Sequence, residues 1–132
     1  MPIWNIFAYF EQFYICHNFN GKEIWSKVFG GDGDVTGHTV QQTNDGGYII
    51  VGFTNAYEPG LQVYLLKTDS NGNELWDKDF RDSPFSFGYF VQQTRDGGYI
   101  VFGSTSPDNS NRQIYLLKTD SNGNELWSKV FG

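Results

Sequence analysis

The residues of this chain best suited to chemistry are oxygen ligands in a loop: Asp69-x-Asn71-x-Asn73, which returns as Asp120-x-Asn122-x-Asn124. Side-chain oxygens at alternate loop positions are how a calcium loop holds its ion. The sixth position, where such a loop needs glycine, is Glu74 in one copy and Glu125 in the other, and Gly72 and Gly123 are accounted for by a hairpin turn. Both segments therefore read as turns, and no metal or cofactor is expected. The acidic pair in Asp32-Gly33-Asp34 has no counterpart in Ser83-Pro84-Phe85, which argues against a repeated ligand role. Nucleophilic and acid–base chemistry is no better served. Cys16 stands alone as a half-buried strand residue, His17 and His38 fall on strand positions facing the surface or a lumen, and Gly30-Gly31-x-Gly33 does not open a helix as a phosphate loop would. No catalytic residue is assigned, and the chain is expected not to be an enzyme.

The elements that would position any site are repeats. Tyr64 to Trp76 recurs letter for letter from Tyr115 to Trp127, and a degraded copy runs from Phe13 to Trp25, so Trp25, Trp76 and Trp127 stand 51 residues apart. Three units follow: an atypical segment with a partial repeat over 1–29, and complete repeats over 30–80 and 81–132. Each complete repeat carries four strand signals rich in Tyr, Ile, Val, Phe and Thr. They are His38–Thr43, Gly47–Thr54, Gln62–Thr68 and Glu74–Phe80, then Tyr89–Thr94, Gly98–Thr105, Gln113–Thr119 and Glu125–Phe131. Asp45-Gly46, Asn71-Gly72, Asp96-Gly97 and Asn122-Gly123 predict type I′ hairpin turns, with both central residues at positive φ. In the partial unit, Glu11 to Asn18 aligns with Gln62 to Asp69. Ahead of it, Met1 to Phe10 fits a helix or a strand equally well.

At 132 residues with 18% aromatics and sixteen glycines, the chain suits one domain of short buried strands and tight turns. Its net charge of −6 and scattered Lys and Arg argue against a nucleic-acid partner. Met1 to Ile15 is too short to span a membrane, and with Glu11 inside it and no basic start it does not read as an export signal. No membrane insertion is expected.

Tyr48-Ile49-Ile50-Val51 is apolar on both sides, so this strand must be covered on both faces by neighbouring sheets. The charged fourth strand, Glu74 to Phe80, suits an outer edge. Gln41, Gln42, Gln92 and Gln93 on the first strands suit a narrow wet channel. Tandem four-stranded meanders covered on both faces describe the blades of an all-β propeller, with a two-sheet sandwich or prism as the alternative.

The order Gly-Tyr-Ile-Ile-Val-Gly, loop, Tyr-Leu-Leu-Lys-Thr-Asp, turn, Gly-Asn-Glu-Leu-Trp resembles the repeats of large bacterial and archaeal propeller proteins with Asp-Gly-Gly-Tyr-Ile-Ile-Val-Gly motifs, mostly surface or secreted proteins without assigned activity. It is similar, more distantly, to the tryptophan-docking repeats of quinone-dependent enzymes. The resemblance covers Glu11 to Gly132 and implies that Trp25, Trp76 and Trp127 dock one blade on the next. It carries no cofactor residues across, and favours a place outside the cell or on its surface.

Propellers of this kind have six to eight blades, whereas this chain supplies two complete ones and a partial one. Bare apolar blade faces are not tolerated in water, so the chain is expected to close a ring with copies of itself, as a dimer if the first unit forms a reduced blade and as a trimer if not. It could equally be part of a longer propeller. The loops differing between copies, 55–61 against 106–112 and 30–36 against 81–87, fall on one face of such a ring. Tyr57, Glu58, Pro59, Phe85, Phe87, Asp108, Asn109 and Arg112 on that face are the candidate ligand-binding residues, for a glycan or protein ligand.

Overall fold

A computed structural model describes residues 3–9, 12–19, 22–29, 34–55 and 60–132, and side chains within 27–29, 34–55 and 60–132. Strands β1 (Ile3–Tyr9), β2 (Gln12–Phe19) and β3 (Lys22–Phe29) form a first sheet. Strands β4 (Val35–Gln42), β5 (Tyr48–Thr54), β6 (Gln62–Thr68) and β7 (Glu74–Phe80) form a second. A third contains β8 (Phe85–Gln93), β9 (Tyr99–Ser106), β10 (Gln113–Thr119) and β11 (Glu125–Phe131). Every pairing between these strands, over the described residues, is antiparallel between chain neighbours, so the second and third sheets are four-stranded meanders. No helix occurs among the described residues.

The double-sided apolar run dictates the stacking. Ile49, Val51, Val63 and Leu65 project from one face of the second sheet into Val91, Tyr99, Val101, Tyr115 and Leu117 of the third. Tyr48, Ile50, Tyr64 and Leu66 project from the opposite face into a separate core with Phe29 of the first sheet. Two cores on opposite faces of one sheet make a three-layer stack, not a two-sheet sandwich. Ile49, Ile50, Val51, Val63, Leu65 and Leu66 are all fully buried, and each such side chain contributes roughly 1.5–3 kcal/mol by leaving water.

The observed strands depart from the sequence reading where the alternation breaks. β4 begins at Val35 rather than His38, and β8 at Phe85 rather than Tyr89, because the strands continue through a bulge. The register shifts between Gly37 and Thr39 and again between Gly88 and Phe90, leaving His38 and Tyr89 as the extra residues. An unpaired residue erases the period-two pattern, so the sequence shows only the part beyond it. Met1 to Phe10 resolves into strand β1 over its described residues. β2 pairs Phe13 with Phe29, whereas β6 pairs Val63 with Phe80, so the first sheet is one residue out of the register that the alignment of Glu11 to Asn18 implies.

The hairpin turns also differ from type I′. At Thr43–Gly46 only Gly46 has positive φ, at 84°, and its N–H donates to the Thr43 carbonyl while Thr43 N–H donates to the Gly47 carbonyl. This is a type I turn closed by a left-handed glycine, and it leaves Asp45 unstrained. Asp45 Oδ1 accepts from Thr43 Oγ1 at 2.5 Å and from Gly47 N–H at 2.9 Å. Its carboxylate also meets the Lys67 ammonium of β6 at 3.1 Å, where Lys67 is 5% and Asp45 61% exposed. Asp96 and Lys118 repeat the pair at 3.1 Å in the third sheet.

The hydroxyl of Thr43 above all, with Gly47 N–H and Lys67, holds the Asp45 carboxyl at about 2, below its ordinary 3.8. A lowered folded-state value means that the stabilisation is complete above about pH 4 and is lost as pH falls toward 2. Asp45→Asn leaves the buried Lys67 ammonium without its counter-charge. It should cost about 1–2 kcal/mol at pH 7, less than a fully buried pair because Asp45 is solvated, and should flatten the acid limb of stability. Urea denaturation between pH 2 and pH 7 checks both; equal stability of the two proteins at pH 7 would show the ion pair to be idle.

Candidate functional site

The stack has two unlike ends. At one, the repeated turns Thr43–Gly46, Asp69–Gly72, Thr94–Gly97 and Asp120–Gly123 close the hairpins. Asp69 Oδ1 accepts from Asn71 and Asn73 N–H at 2.9 Å each, and its Oδ2 from Asn73 Nδ2 at 3.1 Å; Asp120 binds Asn122 and Asn124 in the same way. Each carboxylate is thus turned toward amide donors of its own loop, the arrangement of a turn lock. Those donors hold the Asp69 and Asp120 carboxyls below the usual range.

At the other end the variable segments meet. Leu61 N–H donates to the Pro84 carbonyl at 2.7 Å and Ser86 N–H to the Leu61 carbonyl at 2.9 Å, which joins the β5–β6 loop to the start of β8. Asp34 N–H donates to Asn55 Oδ1 at 2.8 Å, and Asn55 Nδ2 returns a bond to Asp34 Oδ2 at 3.2 Å. Asp34, Thr36, Phe53, Asn55 and Leu61 line a cleft of about 170 Å³ there.

Beside this cleft the two bulges place their extra residues together. The His38 and Tyr89 rings meet edge-on at 5.2 Å, and Thr39 Oγ1 donates to the Tyr89 carbonyl. His38 also packs on Phe53 at 5.5 Å, Phe53 meets Phe87 at 5.0 Å, and Phe87 lies parallel to Tyr89 at 6.4 Å. The Arg112 guanidinium caps this row 4.6 Å from the Phe87 ring centre, and donates to Tyr89 Oη at 3.3 Å and Asn109 Oδ1 at 3.2 Å. Asn109 holds the single positive φ of a non-glycine residue among those described, 64°.

Of the ligand-binding residues expected from sequence, Phe87, Asn109 and Arg112 therefore converge on one cluster. Asp108 sits next to it, with Oδ1 accepting from Ser110 Oγ at 2.6 Å, Ser110 N–H at 3.0 Å and Ser106 Oγ at 3.2 Å. Phe85 is half-buried and pairs with Leu61 through a backbone bridge. Tyr57, Glu58 and Pro59 lie outside the described residues. The sequence reading missed Phe53, Tyr89 and the role of His38. Their common signal is that His38 and Tyr89 stand 51 residues apart, but the bulge that turns both toward one cluster has no sequence signature.

The glutamines divide by face. Gln42 Nε2 donates to the Gly46 carbonyl at 3.4 Å and Gln93 Nε2 to the Gly97 carbonyl at 3.1 Å, while Gln93 Oε1 accepts from Asn44 N–H at 2.8 Å, so these two support turns. Gln41 and Gln92 instead line a cleft of about 240 Å³ along β4, β8 and β9 with Thr39, Phe90, Val91, Ile100 and Phe102.

The two repeat tryptophans with described side chains, Trp76 and Trp127, occupy different settings. Trp76 reaches from the second sheet to the third, with its ring 6.1 Å from Tyr99, and a methyl group on Gly123 would lie 2.6 Å from it. Trp127 is 43% exposed on the outer face of the third sheet. Trp25 belongs to β3, and its side chain, like those of Cys16 and His17, lies outside the described residues. No protein-family model matches this chain, and comparison with curated proteins gives no significant match.

Phe87 is buried and Arg112 exposed, so their losses should separate. Phe87→Ala should cost about 3 kcal/mol as a core truncation, and Arg112→Ala no more than about 1 kcal/mol as a surface cation–π contact. Equilibrium unfolding of the two variants gives the values, and a larger loss for Arg112→Ala would mean that the guanidinium holds this end of the stack together.

Proposed function

We propose that this chain is a non-enzymatic β-propeller module for binding or scaffolding, that copies of it complete a closed ring, and that the variable loops at one end recognise the ligand. The observation that carries the reading is the gathering of both kinds of variable connection, β5–β6 with β7–β8, at one end of the stack, while the constant turns occupy the other. Packing fixes what must be alike between sheets, and variation collects where packing makes no demand. The first sheet, three-stranded and stacked as a third layer, supports the reduced-blade version of the ring, a dimer of six sheets.

The recognition end offers a cleft of mixed lining, with Asp34, Thr36 and Asn55 beside Phe53 and Leu61, next to a row of aromatic rings capped by Arg112. Aromatic faces with amide and carboxylate groups suit a glycan or the side chains of a protein partner, encountered outside the cell or at its surface. Among the described residues there, no pair of groups has the arrangement of a general acid and base with a nucleophile. The competing reading, an enzyme on the completed ring, has no residue set to favour it among those described.

Glycan and peptide arrays probed with the purified chain should show a selective ligand, and Tyr57→Ala/Phe85→Ala should weaken its capture at least ten-fold with the far-UV spectrum unchanged. Capture that survives the double substitution would place recognition elsewhere, and turnover of a bound ligand would overturn the non-enzymatic reading.

A further inference from the structure

The outer face of the third sheet is apolar and uncovered: Phe90 is 61% exposed, Phe102 40%, Ile114 47%, Trp127 43% and Phe131 46%. The internal repeat says what such a face is for. Phe102, Ile114, Trp127 and Phe131 stand 51 residues after Val51, Val63, Trp76 and Phe80, which are the residues with which the second sheet packs onto the third. The strand register is the same in both sheets, since Val63 pairs with Phe80 as Ile114 pairs with Phe131, and Leu65 with Lys78 as Leu116 with Lys129. One face thus occurs twice, once with an occupant and once without.

The occupied copy also shows how the joint is keyed. Trp76 lies on the Gly123 turn, where the absence of a side chain makes room for the ring, and Lys78 is close enough to Asp120 to help lower its carboxyl. One layer back, Lys27 Nζ donates to Asn73 Oδ1 at 3.5 Å and adds to the lowering of Asp69. The joint between the second and third sheets is therefore a tryptophan and a lysine from one on the glycine turn of the next, and its lysine part recurs between the first and second sheets. On the third sheet the corresponding Lys129 ammonium lies over the Trp127 ring, 6.0 Å from its centre, with no other sheet among the described residues beyond them.

We infer that the outer face of the third sheet docks a second copy of this chain, head to tail, through the same joint, with Trp127 and Lys129 repeating the roles of Trp76 and Lys78. The receiving surface is the far face of the second copy's first sheet, at the opposite end of the stack from the third. This rests on the ring reading above and names the surface that would make the ring. Because donor and receiver are different surfaces, the contact is heterologous, and it closes only if the rotation per copy divides the circle.

Light scattering and sedimentation of the full chain, beside Phe102→Lys/Ile114→Lys and Trp127→Ala, test it. The expected wild-type species is a dimer of twice the 15.1 kDa chain mass. The double-lysine variant should run as the single chain with an unchanged far-UV spectrum, and Trp127→Ala should raise the dissociation midpoint at least ten-fold. Wild-type polymers that grow with concentration and collapse in the double variant would uphold the docking face while overturning the closed ring. A wild-type oligomer untouched by both variants would overturn the docking face and leave the ring standing on another surface. A monomeric wild type at all concentrations would overturn both.

Discussion

Strands β5 and β6 keep no face for water. Tyr48, Ile50, Tyr64 and Leu66 leave the second sheet on one side while Ile49, Val51, Val63 and Leu65 leave it on the other, and all eight are buried. An antiparallel sheet alone, or paired with one other, leaves a face in water, where such residues would each forfeit roughly 1.5–3 kcal/mol. The sheet is stable only between two others. The layered order, the polar turns pushed to the ends, and the charged β7 at the margin follow from that requirement.

Each layer is held in shape by the chemistry of its turns. Asp45 and Asp96 bind a threonine hydroxyl, a glycine N–H and a lysine from the third strand, tying three strands of each sheet at one corner. The Tyr64 hydroxyl donates to Asp77 Oδ2 at 2.9 Å, which joins the buried third strand to the solvated fourth, and burial raises its ionisation well above the ordinary tyrosine range. Burial likewise pushes Tyr99 and Tyr115 up to about 12. With this end fixed, the opposite end is free to differ between repeats.

The strands most legible in the sequence are those flanking an Asn-Gly turn: Gln62–Thr68, Glu74–Phe80, Gln113–Thr119 and Glu125–Phe131 have the bounds read from sequence. The need to cover Tyr48 to Val51 on both faces was legible because that run is apolar on both sides. The starts of β4 and β8 were not, because a bulge inserts one residue and cancels the pattern. Nor was the turn type, since Asp-Gly serves a type I turn with a left-handed glycine as well as type I′. The candidate site was legible in part. Differences between copies pointed to Phe87, Asn109 and Arg112, but not to the bulged His38 and Tyr89, whose shared direction depends on how two sheets are stacked.

The central claim is that the face made by Phe102, Ile114 and Trp127 does in solution what its repeat does inside the chain. Hydroxyl-radical footprinting, read residue by residue at high and low protein concentration, addresses it most directly. The account predicts that Phe102 and Trp127 are as protected as Trp76 in concentrated solution and become reactive on dilution while Trp76 does not. Phe102 and Trp127 reacting as open surface residues at every concentration would contradict it.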